Sequence, residues 1–478
     1  MFLTKVRGSG KTALDLVGKF ESFLGKDSVK TSLAVRSQYS HDECHHEPHL
    51  PEVVVIPKNI EEVSFVVKFC NENRIPVIPF GTGTGIEGGV VPLKGGVTVD
   101  LKAMDKILEV NEKDFDCTVE PGVTRKRLNE GIRDTGLFFT VDPGADASVC
   151  GMVATGASGT TSIKYGTMKS NVKNLEVVLP SGEILHTRGE KRRPWKSSSG
   201  YNLTDLFIGQ EGTLGIITKA TVNLHPRPLK FCAGVCSFET INEAIESVVG
   251  IKQSAIPVAR MEFLDSVQIE ACNKFTEKSG GKQHEVKPTL FLEFHGSSER
   301  DVDEQAKAAE EICQSNNSRS FEFSRDIHEI NQLWAARHNA FYATISQRKG
   351  SRGFSTDVCV PISKLPEVLN ETRKDMDEHN LFGTVVGHVG EGNFHCIFPV
   401  QEENKDEMKE IWSFSDRLVK RALAVGGTCT GEHGIGLGKK EYLKSEFGPV
   451  GFDLMKLLKR TLDPNNIMNP SKVIDLDE

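Results

Sequence analysis

Between Gly81 and Gly96 the chain carries seven glycines in sixteen residues, directly after the apolar segment Ile75-Pro76-Val77-Ile78-Pro79. Within that run Gly83-Thr84-Gly85-Ile86-Glu87-Gly88 has the spacing of a dinucleotide fingerprint. The fingerprint works only where a helix opens, so that its N-terminus can hold a pyrophosphate. Here Gly89-Val90-Val91-Pro92-Leu93-Lys94-Gly95-Gly96 follows, and it cannot continue a helix. A Rossmann fold is thereby excluded. Phe80-Gly81-Thr82-Gly83-Thr84-Gly85 can still bind phosphate through successive backbone N–H groups. A second small-residue stretch spans 142–166 and opens Asp142-Pro143-Gly144-Ala145-Asp146-Ala147-Ser148. It has no charge run and leads at once into further strands, so it reads as a wall against a ligand rather than a linker. Two such loops in one domain point to a large nucleotide.

Residues 53–56, 60–73 and 75–79 read as strand, helix and strand, a compact βαβ unit. Strands follow around 97–101 and 117–119, then a helix over about 124–134, and strands at 174–179, 183–187 and 214–224. His225-Pro226-Arg227-Pro228 marks a domain boundary. Beyond it, strands at 231–238, 258–264, 289–294, 354–360, 384–389 and 394–398 alternate with amphipathic helices at about 240–254, 299–315, 327–348, 363–379 and 403–425. That order fits an antiparallel sheet with helices on one face. A helix over 452–462 ends at Asp463-Pro464-Asn465-Asn466.

Chemistry concentrates in Gly387-His388-Val389-Gly390-Glu391-Gly392-Asn393-Phe394-His395, turn residues between two apolar runs. If Gly390 to Asn393 form the loop, Val389 pairs with Phe394 and His388 faces His395. Cross-strand Cβ atoms then lie roughly 5 Å apart, close enough for one ion to take both imidazoles. Alone, this hairpin reads equally well as a pair of surface histidines. Thr428-Cys429-Thr430-Gly431-Glu432-His433-Gly434 tips the balance, because it adds a carboxylate and a third imidazole. Two His and one Glu make a three-ligand set with open positions, the way catalytic metals are held.

At 478 residues the chain has room for two or three domains. Its net charge of -8, with basic and acidic residues interspersed, argues against nucleic acid. No apolar run approaches the roughly 20 residues of a membrane span. Eleven cysteines, an odd number without a C-x-x-C, fit a reducing compartment, and Cys232 and Cys236 fit strand packing. Met1 to Lys11 carry three basic residues and no acidic one, compatible with a remnant mitochondrial transit peptide or a frayed terminus. His41-Asp42-Glu43-Cys44-His45-His46 looks metal-like, but in a polar leader it reads as a solvated loop.

Taken together, 79–89, 142–159, Tyr165-Gly166, Gln210-Glu211-Gly212-Thr213-Leu214-Gly215, 387–395, 431–434 and Asn469-Pro470 resemble FAD-linked dehydrogenases of the vanillyl-alcohol oxidase type. Within that family they are similar to the D-2-hydroxy-acid dehydrogenases that act on D-lactate. The resemblance covers about residues 30–475 and implies an α+β fold. Its expected parts are a leader (1–47), an FAD-binding module of two α+β subdomains (48–227), a cap with an antiparallel sheet and helices carrying the metal site (228–445), and a C-terminal segment returning to the FAD module (446–478). It places Phe80, Gly81, Thr82, Gly83, Thr84, Gly85 and Gly88 on the pyrophosphate. Asp142, Pro143, Ser148, Gly151, Gly156, Ser158, Gly159, Tyr165 and Gly212 would line the rest of the FAD site, with Asn469 near the flavin ring. Thr84 stands where relatives with covalent flavin carry His, which implies non-covalent FAD.

By the same resemblance His388, His395 and Glu432 ligate a divalent metal, zinc or manganese with iron also open. His433 is the catalytic base, and Arg337 holds the substrate carboxylate. The implied reaction takes D-lactate and related D-2-hydroxy acids to 2-oxo acids in mitochondria. The metal acidifies the hydroxyl, His433 takes its proton, and hydride passes to flavin N5. Reduced flavin then needs an external acceptor: cytochrome c, an electron-transferring flavoprotein or a quinone. D-2-hydroxyglutarate dehydrogenases, a rival alongside glycolate dehydrogenases, carry Thr and Lys for a distal carboxylate where Phe341 and Ser355 stand here. A catalytically inactive flavoprotein scaffold is the rival of another class, disfavoured by the intact His388, His395, Glu432 and His433. Cys429 reads as a small buried neighbour of the site, and His295 and His338 as supporting residues.

Overall fold

In the computed structural model, residues 13–277, 282–401 and 403–476 are described. The transit-peptide reading of Met1 to Lys11 lies outside them. Two compact units emerge: one of 1–158, 166–226 and 432–478, the other of 159–165 and 227–431. The second unit thus ends at Gly431 where 445 was the expected limit, because the Glu432 segment folds with the first.

The first unit is built on two sheets. In one, Val53–Val55 and Val77–Phe80 both pair in parallel with Val97–Asp100, which lies between them, and Val29–Lys30 adds an antiparallel edge. The expected βαβ unit is therefore opened by a third strand. Its helix, Ile60–Glu72, starts at an Asn59 cap whose side chain accepts the Glu62 N–H, and Val63, Val66, Val67 and Cys70 are buried. The other sheet is antiparallel, running 107–111, 116–119, 216–223, 172–178, 184–186. No helix follows the glycine loop, as its sequence requires. The C-terminal segment returns to the first sheet: Met468 bridges Val77 in parallel, with Val77 N–H to Ile467 O at 2.8 Å and Asn469 N–H to Val77 O at 2.8 Å.

From Ala13 onward the leader is not a solvated strand of chain. Helix Ala13–Leu24 puts Leu16, Phe20 and Leu24 into the same core as Val53, Val63 and Val77. The 41–46 loop is likewise a correction: Asp42 and Cys44 are buried, and Glu43 N–H donates to Gly85 O at 2.9 Å. Short-range polarity misled here, because the Asp42 carboxyl points inward against Gly85 and the Cys44 thiol is buried, accepting from His46 N–H.

The second unit is an eight-stranded antiparallel sheet, with path 320–324, 230–237, 289–296, 258–264, 384–387, 393–400, 352–355 and Val358–Cys359 paired beside 393–400. Helices cover both faces rather than one. Ala233 and Val235 pack with Leu333, Trp334 and Ala340, whereas Cys236, of opposite parity, meets Cys313 of helix Glu299–Ser315. Continuous burial along Thr289–Gly296 reflects that double covering. The helix expected over 327–348 is two, Ile327–His338 and Ala340–Ser346, divided at Asn339.

Candidate functional site

The hairpin forms, but in a different register. Val386 pairs with His395, and Thr384–Gly387 and Asn393–Val400 flank a five-residue loop. Asn393 leaves the turn because its side-chain amide donates to Asp357 Oδ1 at 2.7 Å and Val358 O at 2.9 Å. Gly392 takes the tight position instead, at φ 89°, where a Cβ would run into Val360 O. The slip from the expected pairing is two residues, which leaves every side chain on its face. His388 and His395 therefore still meet, with ring centroids 5.9 Å apart.

Each imidazole is braced from behind. His388 Nδ1 lies 2.6 Å from Glu262 Oε1, and His395 Nδ1 lies 3.1 Å from Thr356 O and 3.5 Å from Asp357 Oδ1. An Nδ1–H donor carries its ring lone pair on Nε2, so both braces prepare Nε2 as a ligand atom. The donor set suits a divalent cation. The other oxygen of Glu262 accepts from Arg337 Nε at 2.6 Å. Glu262 is fully buried, yet His388 and Arg337 hold its carboxyl below the usual carboxylate range. Sequence reading missed Glu262 and Asp357. For Glu262 the signal was one carboxylate inside the apolar strand Val258–Leu264.

Asp357 also anchors the approach to the second cluster, since its Oδ2 accepts from Thr430 Oγ1 and Gly431 N–H at 2.7 Å each. Glu432 and His433 follow in the first unit, both half-buried, and Ser158 Oγ donates to Glu432 Oε2. Beyond them, Ile435 N–H and Gly436 N–H donate to the buried Glu211 at 2.6 and 2.8 Å, and burial pushes that carboxyl up to about 7. Cys429 is fully buried, as a packing role requires.

Of the residues expected around FAD, Gly159 and Tyr165 belong to the second unit and the rest to the first. Tyr165 O–H meets His295 Nδ1 at 2.7 Å, and His295 Nε2 meets Glu293 Oε1 at 2.7 Å. In the first unit Gly81 abuts Ser148, whose Oγ would lie 2.7 Å from a Cβ at position 81 and equally close to one at Gly151. Ser148 Oγ is buried and has no hydrogen-bond partner among the described residues. The same holds for Asn469 Oδ1, although its Nδ2 donates to Gly89 O at 2.8 Å and Glu211 O at 2.7 Å. Gly212 packs between Pro79 and Asn469, and Thr82 Oγ1 lies 3.0 Å from Thr84 Oγ1. Phe80 is buried behind the loop, and Gly83, Gly85 and Gly88 lie on it with Cβ positions against Phe80, Asp42 and His46. Asp142 and Pro143 are half-buried in the loop before Ser148, and Gly156 caps helix Val149–Thr155. Buried polar atoms left for an absent partner, beside a glycine where no side chain fits, are what a diphosphate and a flavin ring require.

Comparison with known proteins agrees. Residues 51–188 match the FAD binding domain family and 227–473 the C-terminal domain of FAD linked oxidases. A probable mitochondrial D-lactate dehydrogenase of Danio rerio is 52% identical over 99% of this chain and 94% of that protein. A mitochondrial D-lactate dehydrogenase [cytochrome] of Arabidopsis thaliana is 39% identical over 96% of this chain and 80% of its own length. Among solved structures, p-cresol methylhydroxylase with substrate bound superposes with a TM-score of 0.81 at 20% identity, covering 97% of each chain. The fold is that of the vanillyl-alcohol oxidase flavoproteins. The chain belongs to the FAD-linked oxidases, in the branch of the mitochondrial D-lactate dehydrogenases.

Proposed function

We propose that this protein is a mitochondrial FAD-dependent dehydrogenase that oxidises D-lactate and related D-2-hydroxy acids to 2-oxo acids and passes the electrons to a cytochrome. His388, His395 and Glu432 hold a divalent cation, zinc or manganese. The observation that carries the reading is the Glu262 carboxylate, with one oxygen on His388 and the other on Arg337. A metal ligand and a substrate-binding cation are thus set against each other by one buried group. The relatives named as D-lactate dehydrogenases support the substrate, and the Arabidopsis name supports the acceptor.

Bound FAD supplies the hydride acceptor, and the cation supplies the positive charge that gathers the substrate's hydroxyl and carboxylate oxygens. The chain's own groups do the rest. Arg337 spends Nε on Glu262, so its two terminal amino groups present the fork that binds the substrate carboxylate end-on. His433 accepts the hydroxyl proton, an imidazole being suited to that task near neutral pH. Ser158 and Asn469 belong to the flavin side, and Ser158 also fixes the Glu432 carboxylate.

Anaerobic D-lactate is expected to bleach the bound flavin, and L-lactate to leave it oxidised; a flavin unchanged by D-lactate overturns the proposal. Acid precipitation is expected to release all flavin into the supernatant as FAD, because Thr84 offers no nucleophilic imidazole. Flavin retained on the denatured chain refutes that. Glu262→Gln leaves one oxygen to serve two donors. Metal affinity, read by titrating the FAD-loaded protein, is expected to fall roughly 10–100-fold, with a parallel rise in KM for D-lactate. Wild-type values for both would remove Glu262 from the site.

A further inference from the structure

Away from the site, helix Leu443–Leu462 is inside out. Gly448 breaks it at φ 70° and ψ 170°. After the break Lys456 and Lys459 are buried, while Val450, Leu454 and Leu457 are 81%, 55% and 59% exposed, and Leu458 36%. Steps of four, three and one put these four apolar residues on one helical face. The inward lysines have a reason. Lys459 Nζ donates to Asp463, to Thr213 O and to Met468 O, holding the returning C-terminal segment, and Lys456 sits over the Phe452 ring. The helix's polar face is therefore spent inside, and its apolar face is left outside.

Exposed Asp453 and Arg460, seven residues apart, flank the apolar face on the same edge. We propose that this face is the contact between two copies of the chain, their helices packed antiparallel about a two-fold axis. Such an axis brings each edge onto itself with its direction reversed. Asp453 of one copy then falls beside Arg460 of the other, twice per interface. A parallel two-fold would instead put the two edges on opposite sides of the contact, so Asp453 and Arg460 could not pair across it. The four apolar residues with their polar flank offer on the order of 500 Å² per copy, about 1,000 Å² for the pair, which reaches the threshold of a specific interface. A patch of that size is also at the top of what a monomer leaves open.

Sedimentation of the full FAD-loaded chain over a concentration series tests the proposal. A dimer is expected, and Leu454→Glu with Leu457→Glu should yield a monomer that keeps its flavin. Asp453→Arg alone and Arg460→Asp alone should each weaken association roughly tenfold or more, since attraction becomes repulsion at two places. The double reversal should restore it, which no loss of folding could imitate. A wild-type monomer at every concentration overturns the proposal. So does a double reversal no tighter than the single ones, or a monomer that floats with phosphatidylcholine–cardiolipin vesicles through Leu454 and Leu457.

Discussion

Stripping the proposed divalent cation, or replacing His388 by Ala, is expected to lower kcat about a thousandfold or more while the flavin spectrum stays that of bound FAD. Charge stabilisation by a catalytic cation contributes several kcal/mol, and roughly 1.4 kcal/mol is a decade in rate. FAD should stay because the groups assigned to it, Ser148 and Asn469 among them, lie outside the metal set. Added manganese or zinc should restore the chelated wild type and fail to restore His388→Ala. The variant has a second consequence, since Glu262 loses one of the two partners that keep it ionised in a fully buried place. Its grip on Arg337 then tightens or its proton returns, and either shifts KM along with kcat. Full metal content with normal kcat in His388→Ala would remove the histidine pair from the chemistry.

D-lactate and longer aliphatic D-2-hydroxy acids are expected to exceed D-2-hydroxyglutarate by at least about a hundredfold in kcat/KM. In the proposed pocket Phe341 would offer an aromatic wall rather than an anchor: its ring packs over Gly353 and against the cluster that contains Trp334 and Ala336. Ser355, the position where a lysine would be needed, turns its hydroxyl to Thr356 O at 3.3 Å. A second carboxylate buried there without a partner costs several kcal/mol, more than the hundredfold demands. Initial rates on the two acids settle the matter, and equal efficiency sinks the argument from Phe341. Phe341→Thr should narrow the gap, whereas a purely structural Phe341 would lower both rates together.

Much of the candidate site was legible because its residues sit close in sequence. His388 and His395 belong to one hairpin, and Glu432 and His433 are adjacent. The hairpin's register was not legible. It is decided by the Asn393 amide on Asp357, a contact between residues 36 apart that no turn preference encodes. Glu262 escaped for a related reason. Its strand reads as core, and a lone carboxylate there gains meaning only once the fold brings His388 and Arg337 to it from segments 126 and 75 residues away. The 41–46 loop was misread because composition reports the average setting of polar residues. Asp42 is buried against a glycine loop whose lack of side chains makes the room. Strands and helices with strong periodicity stood where expected, among them 258–264 and 299–315.

The return of Ile467, Met468 and Asn469 to the Val77 strand sets an order on biosynthesis. A growing chain can form the sheet around Val53, Val97 and Val77 early, but Asn469 reaches Gly89 only once the 380 residues that separate them have been made. If Asn469 holds the flavin as proposed, flavin retention reports that synthesis has passed that residue. A chain ending upstream of Ile467 is expected to keep most of its core, to leave the sheet edge beside Val77 open, and to purify without colour.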